Sequence, residues 1–346
     1  MSSTLLSICI PTYNRKEILI QRVQEILSLK DERFNVVVQD NNSPDGTSEE
    51  LALIKDSRLI IRENEENIGS IPNWIRSLSG NNSEYIIFMI DKDRVNIQYL
   101  PTFLDYLEEK RPNFGYASPI NNNPVHIETY PAGIESIVHA AYLYTHPSGY
   151  FYKTKLFEEQ ISQDYFKKID KKFDFPFEVI HAHLSVSNAS SMVFMPLIRY
   201  CLTEVPGKSL SYNGSSVYYT CAKVLETFGL FLSDFLSLEI PLKNKCSYSY
   251  RLLARTIFRV TFALRRVYKD AWICEHYHMT QRVVPASEML KNAILEIKEY
   301  RRIARPILAL SIVNYDSIRA FIRALYLVAR VIMADMIKQI YSRLKC

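Results

Sequence analysis

Residues 85–93 read YIIFMIDKD. An apolar run from Tyr85 to Ile90 has the composition of a buried β-strand, and it stops abruptly on Asp91, Lys92 and Asp93. Side chains on an extended segment alternate between its two faces, so carboxylates at positions i and i+2 point the same way. On that geometry Lys92 faces away, and Asp91 and Asp93 both reach one hard cation. Mg²⁺ takes one or two carboxylates together with phosphate oxygens and water. The stretch therefore predicts both a strand and a place for diphosphate chemistry.

Working outward, the same grammar repeats. LLSICIP (5–11), FNVVVQD (34–40) and RLIIRE (58–63) are further strand candidates. Between them, residues 14–30, 48–55 and 71–79 carry apolar side chains at helical spacing, and 99–110 supplies a fourth helix. Asn14 is the expected N-cap of the first helix. Strands alternating with helices over short connections predict an α/β fold with a mostly parallel sheet and crossover helices. In such sheets ligands collect at the carboxyl ends of the strands. Three polar clusters fall there: Thr12–Arg15, Asp40–Asp45 and Asp91–Asp93.

Composition bounds the alternatives. The chain has 346 residues, 48% apolar and 23% charged, with no low-complexity tract, as expected of a globular protein. The six cysteines show neither a C-x-x-C pair nor zinc spacing, which predicts reduced thiols and a cytoplasmic protein. No signal peptide and no run of about 18 apolar residues is found. Residues 246–346 hold 18 Lys/Arg against 7 Asp/Glu, while the net charge of the whole chain is only +5. Such an asymmetry points to an anionic partner surface for the C-terminal third. Nucleic acid is not the expected partner: no recognition motif is present and residues 1–245 are acidic on balance.

Four segments taken together, SICIPTYNR (7–15), VVVQDNNSPDGT (36–47), ENIGSIPNW (66–74) and YIIFMIDKD (85–93), resemble the family-2 glycosyltransferases of the GT-A fold, in their order and spacing as well as their letters. That family is inverting and uses sugar nucleotides, and the resemblance is nearest to its O-antigen and capsule transferases. It covers about residues 5–115. It implies a Rossmann-like GT-A domain, taken over 1–223, and helical length and spacing in 224–240, 249–272, 286–304 and 317–344 predict an α-helical region over 224–346. Carried over, Pro11, Thr12 and Tyr13 line the base and ribose pocket and Asp40 hydrogen-bonds the nucleobase. Asn67, Gly69 and Asn73 border the donor, Asp91 contacts the ribose or sugar, and Asp93 holds Mg²⁺ or Mn²⁺ with Asp91. The implied donor is a nucleotide diphosphate sugar, UDP being the commonest. The implied acceptor is a lipid-linked or cell-surface glycan. Lys92 departs from the family's run of acidic residues and would weaken a metal site if it pointed inward.

The family also implies an acid before a later helix as general base. FDFPFEVIHAHLSVSNASSMVFMP (173–196) fits that layout, with Glu178 as the candidate and Asp174 as the second. THPSGYFYK (145–153) resembles the acceptor loop and makes His146, Ser148 and Gly149 acceptor candidates. The replaced acid at Phe177 and the lysine at 92 leave a second function open, a degenerate transferase that binds sugar nucleotide or helps assembly. In the C-terminal third, Arg319, Arg323 and Arg330 share one helical face, as do Arg251, Arg255, Arg259 and Arg266. Beside apolar faces these stripes fit peripheral binding to an anionic membrane, at the inner face of the plasma membrane, or a homo-oligomer contact.

Overall fold

The structure is a computed structural model of the whole chain. It describes residues 4–118, 125–162, 175–201, 221–259 and 264–304, except 272–273 and 275–279, with a few positions between 322 and 333. The chain divides into two compact units, Met1–Pro206 and Gly207–Cys346. The expected boundary at 223/224 marks where helical spacing becomes regular, and the division of contacts falls earlier.

In the first unit, β1 (Leu6–Thr12), β2 (Phe34–Asp40), β3 (Leu59–Glu63) and β4 (Tyr85–Phe88) are the four strands expected from sequence. Helices α1 (Lys16–Leu27), α2 (Thr47–Leu51), α3 (Ser70–Leu78) and α4 (Leu100–Lys110) alternate with them. β5 (Arg94–Val95), β6 (Phe114–Ser118), β7 (His126–Tyr130), α5 (Ile134–Ala140), β8 (Tyr150–Lys153), α6 (Thr154–Ile161), α7 (Pro176–Ser187), β9 (Ser190–Phe194) and β10 (Ile198–Arg199) complete the unit. Eight strands form one sheet in the order β3-β2-β1-β4-β8-β6-β9-β7. β1 runs parallel to both β2 and β4, and β2 to β3. β8 is antiparallel to β4 and β6, and β7 to β9. β10 pairs separately with β5, antiparallel.

Successive strands from β1 build outward through β2 and β3, and the chain then returns to place β4 on the other side of β1. β1 and β4 therefore flank a topological switch point, where α/β sheets open a crevice. The apolar side chains of β1, β2 and β4 lie in one core with Leu19, Val23 and Ile26 of α1 and Phe103, Leu104 and Leu107 of α4. Pro11 has no N–H to give, and it sits where β1 has outrun β4, whose register ends at Cys9↔Phe88. The lost ladder bond is thus absorbed at the crevice. Arg15, not Asn14, is the N-cap of α1, and Asn14 adopts a positive φ of 55°. Asn tolerates that conformation, and its N–H is taken by the Ser43 hydroxyl at 2.8 Å.

In the second unit, α8 (Cys221–Ser237), α9 (Leu242–Phe258), the short α10 (Leu264–Val267) and α11 (Ala286–Ala304) are described. Phe228, Phe231, Leu232 and Phe235 of α8 are buried with Leu252, Leu253 and Ile257 of α9 and Met289 and Ala293 of α11. The helical spacing expected over 249–272 is not kept to its end, since residues 268–270 are not helical. No helix among the described residues is long and apolar enough to cross a membrane. Arg319 and Arg323 lie outside the described residues; Arg330 is helical and exposed.

Candidate active site

The carboxyl ends of β1, β2 and β4 bring the three polar clusters together, as expected. Their side chains meet across the switch point. Thr12 donates its hydroxyl to Asp91 Oδ2 at 3.0 Å, and Arg15 Nη1 lies 2.6 Å from Asp91 Oδ1. Asp91 is 2% exposed, so this is a buried, charge-assisted pairing. Arg15 stood inside the quoted motif without an assigned role; only the fold brings it 76 residues along the chain to Asp91.

Residues 91–93 are a turn, not an extended segment: β4 stops at Phe88, and Asp93 N–H bonds back to Ile90 O at 3.0 Å. The premise of alternation therefore fails, and with it the expectation that both carboxylates reach one cation on the same side. Asp91 faces Thr12 and Arg15. Asp93 instead accepts from Ser148 Oγ at 2.5 Å and from the Cys201 N–H at 3.0 Å. Beneath the turn, the buried Arg22 of α1 reaches Lys92 O at 3.4 Å.

Asp93 is fully buried, and desolvation raises its pKa to about 6 despite the Ser148 and Cys201 bonds. His146 Nδ1 lies 3.6 Å from it, and burial lowers that imidazole to about 3, leaving it neutral. Burial also lowers the pKa of Lys92. A carboxylate offers about four lone-pair sites, and Asp93 spends two. A buried acid with spare lone pairs and a neutral neighbour fits one hard cation shared with phosphate oxygens. Asp91, already paired with Arg15, does not fit the same role. No group of three or more metal-ligating side chains forms among the described residues.

Other expected residues are placed differently. Asp40 is 0% exposed, and its carboxylate accepts from the Ser43 N–H and hydroxyl and from the Ser48 hydroxyl. These three bonds tie the 41–48 loop to the end of β2. Asn73 is buried and donates to Gln39 O while accepting from Asn64, so it acts through the loop it anchors. Asn67 accepts from Asn41 and from the Gly69 N–H, shaping the exposed 67–69 turn. Pro11 is buried in its strand, whereas Tyr13 is 44% exposed at the crevice rim.

Glu178 is held by a neighbouring loop. It is 1% exposed and accepts from the Leu143 N–H, the Thr145 N–H and the Thr145 hydroxyl at 2.8, 2.8 and 3.1 Å. Burial raises its pKa, and three of its lone pairs are taken by the 143–145 segment. A general base must reach the proton it takes. Asp174 lies outside the described residues. Ser148, expected at the acceptor, is instead buried against Asp93, and its oxygen also accepts the Ile90 N–H at 2.9 Å. Gly149 has φ 111°, and a Cβ there would meet Ala117 O at 2.5 Å, so its role is backbone packing. His146 stacks on Tyr200, centroids 3.9 Å apart, and Tyr200 shares a 2.5 Å hydrogen bond with Tyr116. Neither tyrosine carried a signal in the sequence, because only the return of β10 to β5 brings residue 200 here.

A mostly parallel sheet that gathers acids, an arginine and a threonine at its switch point defines an α/β protein with a polar crevice at the carboxyl ends of its strands. The family model described as glycosyl transferase family 2 matches residues 7–179, and the chain belongs to that family. An abequosyltransferase of Salmonella typhimurium, RfbV, is 34% identical over 111 residues, covering 29% of this chain and 33% of that protein. An uncharacterised glycosyltransferase of Rickettsia conorii is 29% identical over 145 residues, 39% of this chain and 23% of its own. The chain thus spans about a third or less of these curated relatives. Among solved structures, residues 1–349 of S. aureus TarS in complex with UDP-GlcNAc superpose with a TM-score of 0.56 at 17% identity, covering 87% of this chain and 90% of that one. That likeness confirms the GT-A fold.

Proposed function

We propose that the protein transfers one sugar from a nucleotide diphosphate donor to a hydroxyl of a lipid-linked or cell-surface glycan, with inversion at the sugar carbon. The observation that carries this reading is the joining of Thr12, Arg15 and Asp91 across the β1/β4 switch point, with Asp93 buried beside them. The names of the relatives support it: one is an abequosyltransferase, and the TarS structure contains UDP-GlcNAc. Tyr13 at the rim offers a ring to the base, and Pro11 and Thr12 border the ribose. The 67–69 turn closes the side of the donor. Asp91, held by Arg15, faces the ribose or sugar hydroxyls. Asp93 is the residue that would hold Mg²⁺ or Mn²⁺, which when bound would neutralise the charge gathering on the departing nucleoside diphosphate.

Inversion needs a base opposite the leaving group. With the Glu178 carboxylate already committed to the 143–145 backbone, Asp174 takes that role in this proposal. It stands two residues before Pro176, the first residue of α7. The acceptor approaches past His146 and Tyr200. Peripheral contact with an anionic membrane surface belongs to the second unit, where Leu290, Ile294 and Leu295 of α11 are exposed beside its basic residues. The experiment is a donor panel of UDP, GDP and dTDP sugars with Mn²⁺, read by thermal shift and then by product formation. At least one donor should raise the melting temperature in proportion to the logarithm of its concentration above Kd. An intact fold that no donor stabilises would refute both the transferase and a sugar-nucleotide binder and leave the assembly role.

A further inference from the structure

The segment from Tyr142 to Ser148 takes a path that its sequence does not favour. Tyr142 and Tyr144 both adopt left-handed backbone, at φ 56° and 57°, although neither is glycine or asparagine. Bulky residues are rare in that conformation and persist only where the surroundings over-determine it. Alternating left-handed and ordinary residues turn successive N–H groups to one side and create a concave anion site. The amides so turned belong to Leu143 and Thr145, and the anion they meet is the carboxylate of Glu178. The Thr145 hydroxyl adds a further bond to it at 3.1 Å. Glu178 is carried in the first turn of α7, whose residues from Pro176 to Ala182 are all buried. An anchored element thus supplies the charge that a strained loop closes around.

The held segment leads directly to the site. Three residues after Thr145, Ser148 gives its hydroxyl to Asp93 Oδ2 at 2.5 Å and accepts the Ile90 N–H. The carbonyl of His146 accepts from Tyr116 at 3.0 Å, and the imidazole stacks on Tyr200. The Gly149 N–H bonds to Phe88 O, at the end of β4. We infer that Glu178 is a positioning residue: through the amides of Leu143 and Thr145 it fixes the loop that presents Ser148 and His146 to Asp93. This rests on the reading that Asp93 belongs to the donor site, but the clamp itself can be tested without any ligand.

Amide hydrogen exchange on the full chain reads the clamp directly. In Glu178→Gln the side chain keeps one acceptor and sets an NH₂ group against backbone donors. Peptides covering 141–149 should exchange at least tenfold faster than in the wild type, those covering 88–93 should follow to a smaller extent, and β1–β3 should be unchanged. Unchanged exchange over 141–149 overturns the inference. Thr145→Val, which keeps both amide bonds to Glu178 and removes the hydroxyl's bonds to Glu178 and Tyr150, is the gentler variant if Glu178→Gln does not fold; it should loosen the same segment by less, and no loosening there counts against the clamp. With a donor found to react, turnover separates positioning from proton transfer. A positioning residue leaves the acid limb of the kcat/KM pH profile in place in Glu178→Gln. It also makes the losses in Glu178→Gln and Ser148→Ala overlap in the double variant. Disappearance of that limb, or fully additive losses, overturns the inference. A wild type that turns over no donor would refute the transferase reading alone, with the exchange result still deciding the clamp.

Discussion

The two halves of the site are built on different principles. The half formed by β1, β2 and β4 is local: each polar residue follows its own strand, and the crevice arises because parallel strands end on the same edge. The half formed by 142–201 is assembled from afar. Ser148 reaches Asp93 across 55 residues and the Cys201 N–H across 108. The first half therefore tolerates being read one segment at a time, while the second exists only once the antiparallel β8 and the β5/β10 pair are in place. Their carboxylates differ in the same way. Asp40 and Glu178 each accept three bonds from backbone amides and hydroxyls and hold loops, whereas Asp93 accepts two.

The sharpest way to break that contrast is to remove Asp93. Asp93→Ala should abolish transfer, a loss on the order of 10²–10³-fold or more, while the circular dichroism melt stays that of a folded protein. Retained turnover would place Asp93 with the loop-holding acids. Next in size, Asp174→Asn should lower kcat by roughly 10²–10⁴-fold with donor affinity unchanged. If Glu178→Gln gives that split and Asp174→Asn does not, Glu178 is the base and the clamp is wrong. Asp40→Ala should act on the near half through its loop. Three donors from Ser43 and Ser48 lose their acceptor, so stability should fall by about 1–3 kcal/mol and nucleotide binding should weaken. Weakened nucleotide binding in a stable variant with an ordered 41–48 loop would make Asp40 a direct contact.

The second unit supplies a carboxyl of yet another kind. Glu296 on α11 is 1% exposed, its Oε2 has no hydrogen-bond partner, and burial together with nearby Glu299 raises its pKa to about 8. An acid whose pKa is raised by folding binds its proton more tightly in the native state. Its contribution is intact below the unfolded value and is lost as pH rises through the folded one. The chain should therefore lose stability between about pH 4.5 and 8, by up to a few kcal/mol at roughly 1.4 kcal/mol per pKa unit. Glu296→Gln should flatten that slope in urea melts, and an unchanged slope would mean that the group is solvated. The smallest effect expected is at the basic surface of the same unit. Exposed arginines should add about 1 kcal/mol each toward anionic vesicles, an attraction weakened by salt and absent with neutral lipid. Equal binding to both vesicles would refute electrostatic docking.

Most of the near half was legible in the sequence. Apolar runs of four to seven residues closed by Pro11, Asp40 or Asp91 place strands and crevice together, and β1–β4 fall within two residues of expectation. What failed was the inference of side-chain direction from an assumed extended segment. Asp91–Asp93 turn because Asp93 N–H finds Ile90 O, and strand periodicity carries no information about that bond. The serine partners of Asp40 were hidden for a related reason: a carboxylate at a strand end looks alike whether a ligand or a serine answers it. Glu178 had the right acid at the right helix start, but its partners are backbone amides of a loop 33–35 residues earlier, and amides leave no trace in a sequence.

The central claim, that the β1/β4 switch point with Asp93 at its floor binds a nucleotide diphosphate sugar, is tested most directly by calorimetric titration. Wild type and Asp93→Ala would each be titrated with UDP, GDP and dTDP sugars in the presence of Mn²⁺. One nucleotide class should bind the wild type, and the variant should bind it at least tenfold more weakly while melting normally. Binding that is equal in both proteins, or absent from a folded wild type for every donor, would contradict the claim.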